Sequence, residues 1–273
     1  MTDIYNNLKK TADYISQKTN GLKPEIGLIL GSGLGDFADS VEGAFRIPYS
    51  EIPGFAVSTV SGHAGMLVAG QIEGKTVAIM QGRIHYYEGH SMENIIFPAR
   101  ALVMLGCKTL IITNAAGGIT HLSPGDLCLI SDHINFMGAN PLRGENDERL
   151  GPRFPDMSDI YSKELRKTVK EIAHRNGILL KEGIYAAMPG PTYESPAEIN
   201  MLKVAGASMV GMSTVPESIA AHHMGASIIG ISCISNLAAG ISPVPLTHEE
   251  VKETASRISD IFKKLIREII TGI

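Results

Sequence analysis

The sequence predicts an α/β fold in which a central mixed, mainly parallel twisted sheet is flanked by helices. Short apolar runs such as Ile26–Leu30 and Thr109–Thr113 have the length of buried strands, and helical patterns alternate with them along most of the chain. No internal repeat or linker-like segment interrupts this alternation. With 44% hydrophobic and 19% charged residues, the chain can bury a large core, so we expect residues 1–273 to form a single domain.

The helices are predicted from apolar spacing and from capping residues. An amphipathic helix over residues 1–20 precedes the first strand, a second helix over Ile95–Leu105 ends at Gly106, and a third begins near Leu165. Later helices begin at capping boxes, in which Ser or Thr is followed three residues on by Glu. The three capping boxes are Ser195-Pro196-Ala197-Glu198, Thr214-Val215-Pro216-Glu217 and Thr247-His248-Glu249-Glu250.

The remaining strands are predicted from short apolar runs. They lie at Met66–Ile72, Val77–Met80, Leu127–Ile130, Gly183–Ala187, Ser208–Gly211 and Ser227–Cys233. Gly74-Lys75-Thr76 resembles the end of a P-loop, but Ala69 stands where that motif needs glycine, so we interpret the segment as a hairpin turn with Lys75 in solvent. Little periodicity is present between Ser131 and Tyr161, which predicts a long loop with a functional or oligomer-contact role.

A glycine-rich corner, Gly31-Ser32-Gly33-Leu34-Gly35, follows the first strand. Three glycines in five residues let the backbone adopt positive φ and approach a ligand closely. Successive N–H groups there can form a nest for an anion, with the Ser32 hydroxyl as a further donor. The alternative is a tight strand-to-helix turn that binds nothing. Asp36 stands where a dinucleotide fingerprint needs its third glycine, which disfavours NAD.

Composition and charge exclude several classes of protein. The net charge of −4 gives no general attraction for nucleic acid, and no apolar run approaches the length of a membrane span, so neither partner is expected. Cys107, Cys128 and Cys233 lack C-x-x-C spacing, so we expect buried free thiols in a reducing cytoplasm. No metal is expected, because His222 and His223 are adjacent on a helix and face different ways. A G-x-S-x-G elbow is absent, so an α/β-hydrolase serine is unsupported.

Polar residues follow several predicted strands at or just past their ends. Because ligands gather at the carboxyl ends of strands in such sheets, one site can collect these corners. The corners are marked by Ser32, Asn114, Glu194, Ser213 and Asn236.

One set of these groups suits an oxyanion. Arg83 offers a forked cation, Ser32 and Ser213 are neutral donors, His85 is a further donor, and the helix N-terminus after Ser213 adds a partial positive charge. The alternative for Arg83 is a surface salt bridge with Glu88, and for Ser213 a neighbour of a helix cap. His63 lies between glycines in a stretch suited to a mobile loop, or is simply a solvated histidine.

A second set suits a planar, hydrogen-bonding ligand. The Glu194 carboxylate can accept two N–H bonds from a ring edge, and the Asn236 amide can donate and accept. Glu194 is alternatively a helix-cap partner, and Asn236 a turn residue. Tyr193, Tyr87 and Met212 offer surface for stacking or sugar packing, although a core role for Met212 is equally consistent with the sequence.

Seven ordered segments between about Ile26 and Val251 resemble the trimeric purine nucleoside phosphorylases, in their bacterial form. The segments are Gly31-Ser32-Gly33-Leu34-Gly35, Gly62-His63-Ala64-Gly65, Arg83-x-His85-x-Tyr87-Glu88-Gly89, Thr113-Asn114-Ala115-Ala116-Gly117-Gly118, Gly190-Pro191-Thr192-Tyr193-Glu194, Val210-Gly211-Met212-Ser213-Thr214-Val215-Pro216-Glu217 and His248-Glu249-Glu250-Val251. One departure is Leu237, where the mammalian enzymes carry Lys.

The resemblance implies a role for each matched residue. Phosphate is expected to be held by Ser32, His63, Arg83, His85, the Ala115 backbone N–H and Ser213. Ribose is expected to contact Tyr87 and Met212, with His248 at its 5′-hydroxyl. The purine is expected at Glu194 and Asn236, with Tyr193 against its face. The residues expected to act in catalysis are Asn236, Glu194, His85 and His248. Phe154 matches an aromatic residue donated to the neighbouring subunit's site, which implies a homotrimer.

The implied reaction is reversible phosphorolysis of inosine, guanosine and their 2′-deoxy forms, a step of purine salvage, with inorganic phosphate as co-substrate and no cofactor. Asn236 favours a 6-oxopurine, and His248 favours a 5′-hydroxyl, over the 6-amino and methylthio groups of 5′-methylthioadenosine. A methylthioadenosine phosphorylase is therefore the nearest alternative. A hydrolytic nucleosidase and a non-catalytic nucleotide-binding protein are the others.

Overall fold

A computed structural model describes residues 3–57, 64–242 and 248–273, with only the backbone described for residues 248–252. One nine-stranded sheet runs through these residues. The strands are β1 (Ile26–Ile29), β2 (Glu42–Pro48), β3 (Met66–Ile72), β4 (Lys75–Gln81), β5 (Thr109–Gly118), β6 (Leu127–Asn135), β7 (Leu180–Ala187), β8 (Met209–Gly211) and β9 (Ser227–Leu237).

The sheet is mixed, with spatial order β2-β3-β4-β1-β5-β8-β7-β6-β9. Strand β1 lies between β4 and β5 and is parallel to both, and β5 is also parallel to β9. Strand β5 pairs with β8 as well, in antiparallel sense, while β8, β7, β6 and β9 pair in succession. These pairings close β5, β8, β7, β6 and β9 into a ring, which the sequence did not predict.

The first four helices begin where a polar side chain satisfies one of their first N–H groups, as expected for N-caps. Asp3, Ser91 and Ser162 accept from the backbone N–H three residues on, and Ser195 forms the predicted capping box with Glu198. The helices are α1 (Ile4–Lys18), α2 (Met92–Leu105), α3 (Lys163–Arg175), α4 (Pro196–Val204), α5 (Val215–His223) and α6 (His248–Gly272). Short 3₁₀ turns occur at Gly35–Ser40, Tyr49–Glu51 and Tyr86–Glu88.

Helices cover the sheet on both faces, so the predicted fold class is confirmed. Helices α1, α2 and α5 contribute Ile15, Leu102 and Val215 to one apolar cluster with strand residues. Helices α3 and α6 contribute Val169 and Phe262 to a second cluster on other strand residues. Burial of apolar area on two faces is the main favourable term that holds such a sheet in place.

Several local predictions were wrong: β2 was not predicted, and β6 continues to Asn135, past the start of the predicted loop at Ser131. The segment Asn114–Gly118 is not a corner, because β5 continues to Gly118 and pairs with β9 along that length. The Thr214–Glu217 segment is not a capping box, because Thr214 has φ of 74° and Glu217 bonds elsewhere. Lys75 is half-buried, and its Nζ donates to the Ile273 carbonyl oxygen at 2.6 Å.

Other expectations concern cysteines, membranes and metals. Cys107, Cys128 and Cys233 are free and buried, as predicted. No helix in the described ranges is long and apolar enough to cross a membrane. Those same ranges bring together no group of three or more His, Cys, Asp or Glu side chains that would hold a metal ion.

Candidate active site

A cavity of about 800 Å³, including its part open to solvent, lies beside the carboxyl ends of β1, β4, β5 and β9. All five predicted strand-end positions contribute to its lining. The lining residues are Gly31, Ser32, Arg83, His85, Tyr87, Asn114, Ala115, Ala116, Gly117, Tyr193, Glu194, Val210, Gly211, Met212, Ser213, Ser235, Asn236 and Ala238. The parallel arrangement of four strands explains why residues distant in sequence meet here.

The glycine corner after β1 lies directly against β5. The Gly31 N–H donates to Thr113 Oγ1 at 2.8 Å, and a Cβ at Gly31 would lie 2.7 Å from the Asn114 Cα. Gly33 has φ of 83°, in the left-handed region that favours glycine. These two positions therefore require glycine, and they leave the Ser32 side chain exposed at the cavity.

Arg83 is buried, with 3% of the residue exposed, so the alternative of a surface salt bridge with Glu88 was wrong. Its Nη1 lies 3.2 Å from Glu217 Oε1 and donates to Thr214 Oγ1 at 3.4 Å. Its Nη2 donates to the carbonyl oxygens of Ile29, at 3.4 Å, and Thr113. Since four acceptors from two strands, the N-cap residue of α5 and α5 itself surround it, the guanidinium is fixed at the cavity wall.

Glu88 instead holds His85. The His85 backbone N–H donates to Glu88 Oε1 at 2.6 Å, and His85 Nδ1 lies 3.4 Å from the same oxygen. The His85 and Tyr87 rings are stacked, with centroids 4.8 Å apart. Burial, helped by the nearby Glu88 carboxylate, raises the pKa of Tyr87. The Tyr87 phenol therefore remains a neutral hydroxyl beside the histidine.

Ser213 lies at the turn between β8 and α5. Its Oγ lies 3.1 Å from Thr214 Oγ1, and its backbone N–H donates to Tyr185 Oη at 3.4 Å. Tyr185 is fully buried. The Thr214 hydroxyl also accepts from Asn114 Nδ2 at 2.9 Å, which ties this turn to β5.

Glu194 is 92% buried, because 8% of the residue is exposed, and it precedes the capping residue of α4. Its carboxylate has no ion-pair partner within the described part of the chain. Burial raises the pKa of Glu194, and the nearby Glu198 carboxylate contributes in the same direction. The helix-cap alternative was wrong, because Glu198 and not Glu194 bonds to the Ser195 N–H. Glu194 therefore presents a desolvated carboxyl group to the cavity, beside the half-exposed Tyr193.

Asn236 belongs to β9 and is not a turn residue. The register of β5 with β9 shifts so that Ala116 pairs with Ile234 but Gly117 pairs with Asn236, which makes Ser235 a β-bulge. Both Ser235 and Asn236 consequently line the cavity. Ser235 Oγ donates to Asn236 Oδ1 at 2.7 Å, and Asn236 Nδ2 donates to the Leu237 carbonyl oxygen at 2.9 Å. These bonds fix the orientation of the amide.

Of the other predicted site residues, one lies away from this cavity and two fall outside what the structure describes. Phe154 lies on the long loop, is 87% exposed and has the Arg153 guanidinium 5.5 Å from its ring centroid. His63 lies outside the described residues. His248 begins α6, and its side chain also lies outside the described part.

Sequence reasoning missed the roles of Glu217 and Ser235. Glu217 had a pattern that favoured a helix cap, and no local signal indicates its pairing with an arginine 134 residues earlier. Ser235 precedes Asn236 in an apolar strand, where alternation predicts that neighbours face opposite sides. Only the bulge brings both to one side.

Residues 25–271 match the model of the phosphorylase superfamily. The chain is 55% identical, over 264 residues and 96% of both chains, to purine nucleoside phosphorylase 1 of Geobacillus stearothermophilus. It belongs to the purine nucleoside phosphorylases. Among solved structures, isoform 2 of the Schistosoma mansoni purine nucleoside phosphorylase, in complex with cytosine and ribose 1-phosphate, is 44% identical with a TM-score of 0.94. That match covers 98% of this chain and 97% of the other.

A second purine nucleoside phosphorylase structure from Schistosoma mansoni, in complex with inosine, is 39% identical with a TM-score of 0.93 and covers 98% of this chain and 96% of that one. The cavity of this member of the phosphorylase superfamily combines a fixed guanidinium, hydroxyls and a histidine with a desolvated carboxyl group and an oriented amide.

Proposed function

We propose that this chain catalyses the reversible phosphorolysis of inosine, guanosine and their 2′-deoxy forms to a free purine and ribose or deoxyribose 1-phosphate, a purine-salvage reaction. One observation carries the proposal: the donors suited to an anion and the Glu194–Asn236 pair line the same cavity. The relatives support it, since the Geobacillus protein is named a purine nucleoside phosphorylase and the Schistosoma structures hold inosine and ribose 1-phosphate.

Phosphate is assigned to the end of the cavity formed by Ser32, Arg83, His85, Ser213 and the Ala115 backbone N–H. Hydroxyls, a fixed guanidinium and a histidine give donors from several directions, which suits a tetrahedral anion. His63 is proposed to approach the phosphate from a closing loop. We expect no cofactor or metal, and inorganic phosphate is the second substrate.

The nucleoside is assigned to the other end. Tyr87 and Met212 would pack on ribose, His248 would reach the 5′-hydroxyl and Tyr193 would lie against the purine face. Glu194 in its ionised form would accept from the ring N–H at N1. Asn236 would bond at the N7 and O6 edge, with its amide already held by Ser235 and the backbone.

Charge develops on both halves of the nucleoside during the proposed reaction, and this charge explains how the site residues act. As the C1′–N9 bond breaks, its electron pair moves onto the purine and the ribose gains oxocarbenium character. An oxygen of hydrogen phosphate then forms the new bond to C1′ from the opposite face, and the proton that the phosphate gives up ends on a purine nitrogen. Interactions of Glu194 and Asn236 with the charged purine strengthen toward the transition state, so they lower the barrier. Phosphate beside the cationic sugar adds electrostatic stabilisation and is already positioned for attack.

A 6-oxopurine is favoured over a 6-aminopurine because an amide can donate to O6, whereas a 6-amino group needs an acceptor. Methylthioadenosine phosphorolysis is the alternative. His248 argues against it, since a hydroxyl, unlike a methylthio group, benefits from a polar partner.

We assign the active form to a homotrimer in the cytoplasm. Phe154, 87% exposed on its own subunit, is proposed to cover the nucleoside of a neighbouring one. The free cysteines are consistent with a reducing compartment. Sedimentation equilibrium tests the trimer, and Phe154→Ala is expected to raise the KM for inosine. A monomer with full activity would contradict this assignment.

The deciding experiment measures release of free base from inosine and from adenosine, each with and without inorganic phosphate. We expect inosine to be cleaved only with phosphate and adenosine to be cleaved slowly. Cleavage without phosphate would indicate a hydrolase, and a preference for adenosine would contradict the role assigned to Asn236.

A further inference from the structure

Glu217 is the buried carboxylate that faces Arg83. Its Oε1 lies 3.2 Å from Arg83 Nη1, and only 4% and 3% of the two side chains are exposed. Its Oε2 is buried and accepts no hydrogen bond from the described residues. A carboxylate satisfied on one oxygen only is an expensive group to bury, so its presence needs an explanation beyond packing.

The pair determines the charge that an anion meets in the cavity. Within the described lining, Arg83 is the sole Lys or Arg. Two opposite charges at hydrogen-bond distance act on a third charge as a dipole, so Glu217 cancels much of the attraction that Arg83 alone would exert. His85 gives limited compensation, because Glu88 lies against its Nδ1.

We propose that Glu217 is a resident counter-ion that competes with phosphate for Arg83 and thereby limits the affinity of the cavity for phosphate and for the sugar phosphate product. This inference rests on the proposed function, in which Arg83 faces the phosphate. A reversible reaction requires both dianions to leave as well as to bind, and a neutral resident pair weakens their binding. The Glu217–Arg83 pair does not affect the purine end, because Glu194 is positioned by the loop before α4 and Asn236 by β9.

The test is Glu217→Gln, which keeps the side-chain length and an acceptor for Arg83 but removes the charge. The KM for phosphate is expected to fall by roughly three- to tenfold, because the guanidinium loses its competing anion. The KM for inosine is expected to change by less than about twofold, because the base end is untouched. Phosphate is also expected to raise Tm by more in the variant than in the wild type.

The matched control is Glu182→Gln. Glu182 lies on β7 outside the cavity, in ion pairs with Arg166 and with Lys170, whose Nζ lies 3.0 Å from its Oε2. This variant also loses a paired negative charge, at a more exposed position away from the cavity, and is expected to leave both KM values unchanged. A purely structural role for Glu217 would instead move both KM values together or neither.

If Glu217→Gln folds only with phosphate present, that dependence itself supports the counter-ion role. Glu217→Asp then provides the kinetic test, since the shorter side chain withdraws from Arg83 and is expected to lower the phosphate KM by a smaller factor. A phosphate KM equal to or above that of the wild type in the folded variants would overturn the inference. Failure of the wild type to phosphorolyse inosine would instead refute the proposed function.

Discussion

The two ends of the cavity treat buried charge in opposite ways. At the anion end, two donors of the described residues, Arg83 and His85, each have a carboxylate against them: Glu217 at Arg83 and Glu88 at His85. At the base end, Glu194 is 92% buried without an ion-pair partner in the described ranges, and its pKa is raised. The charges of the anion end are therefore compensated before a ligand binds, whereas the Glu194 carboxylate of the base end gains its partner only from the ligand.

This difference indicates where binding energy is used. A pre-compensated end binds a dianion without an extreme affinity, because the ligand competes with the resident carboxylates. An uncompensated carboxylate gains most when an N–H donor reaches it, and gains more as charge develops on the purine. Discrimination among nucleosides is thus expected at Glu194 and Asn236, while Arg83 and its partner set the response to phosphate.

The largest expected effect is on stability at the anion end. Arg83→Met leaves Glu217 buried and uncompensated, which is expected to lower the free energy of unfolding by about 3–5 kcal/mol. The double variant with Glu217→Leu is expected to recover more than half of that loss. Urea denaturation measures both. Arg46→Met, at an exposed pair with Asp39, is the control and should cost less than about 1 kcal/mol. Equal losses at the two sites would contradict the description of the anion end.

At the base end, Glu194→Gln is expected to lower kcat/KM for inosine by about 10²- to 10³-fold, because the purine loses a charged acceptor in the transition state. The free energy of unfolding is expected to stay the same or rise, since the wild-type carboxylate is buried without compensation. Steady-state kinetics together with urea denaturation check both parts. A large change in the phosphate KM would break the separation between the two ends.

Asn236→Asp sharpens the assignment of the base. A carboxylate only accepts hydrogen bonds and so suits a 6-amino group better than an amide does. The ratio of kcat/KM for adenosine to that for inosine is expected to rise by about tenfold, as for one hydrogen bond exchanged. Ser235→Ala, which removes a bond to the amide oxygen, is the comparison variant. An unchanged ratio would remove Asn236 as the discriminator.

The smallest effect is in pH dependence. Burial places the pKa of Glu194 above its ordinary 4.5, and the protonated form cannot accept from the purine N–H. As pH falls through that raised pKa, kcat/KM for inosine is expected to decrease in the wild type but not in Glu194→Gln. The contribution of Glu194 to stability changes with pH in the opposite direction to kcat/KM. The folded state favours the protonated form, so stability due to Glu194 is lost as pH rises from the unfolded to the folded pKa.

Most of the fold was predictable because its signals are local. Most strand and helix positions, β2 excepted, followed from apolar runs, glycine stops and the Ser195 capping box, which formed as expected. The closed ring of strands was not predictable, because β5 pairs with β8 and β9, which lie far from it in the sequence. The Asn114–Gly118 segment was wrongly predicted to be a corner. Small residues are common in turns, but they are also common in strands that another backbone approaches closely.

The sequence by itself determined the fold class, the family and the residue types at the strand ends, including Ser32, Glu194 and Asn236. Those features depend on chemistry and spacing that can be recognised without coordinates. The tertiary structure decided which charges face one another: Glu217 on α5 meets Arg83 after β4, and Ser235 shares the cavity through a bulge. The physical reason is that Coulomb and hydrogen-bond interactions depend on distances across the fold, and sequence separation does not report them.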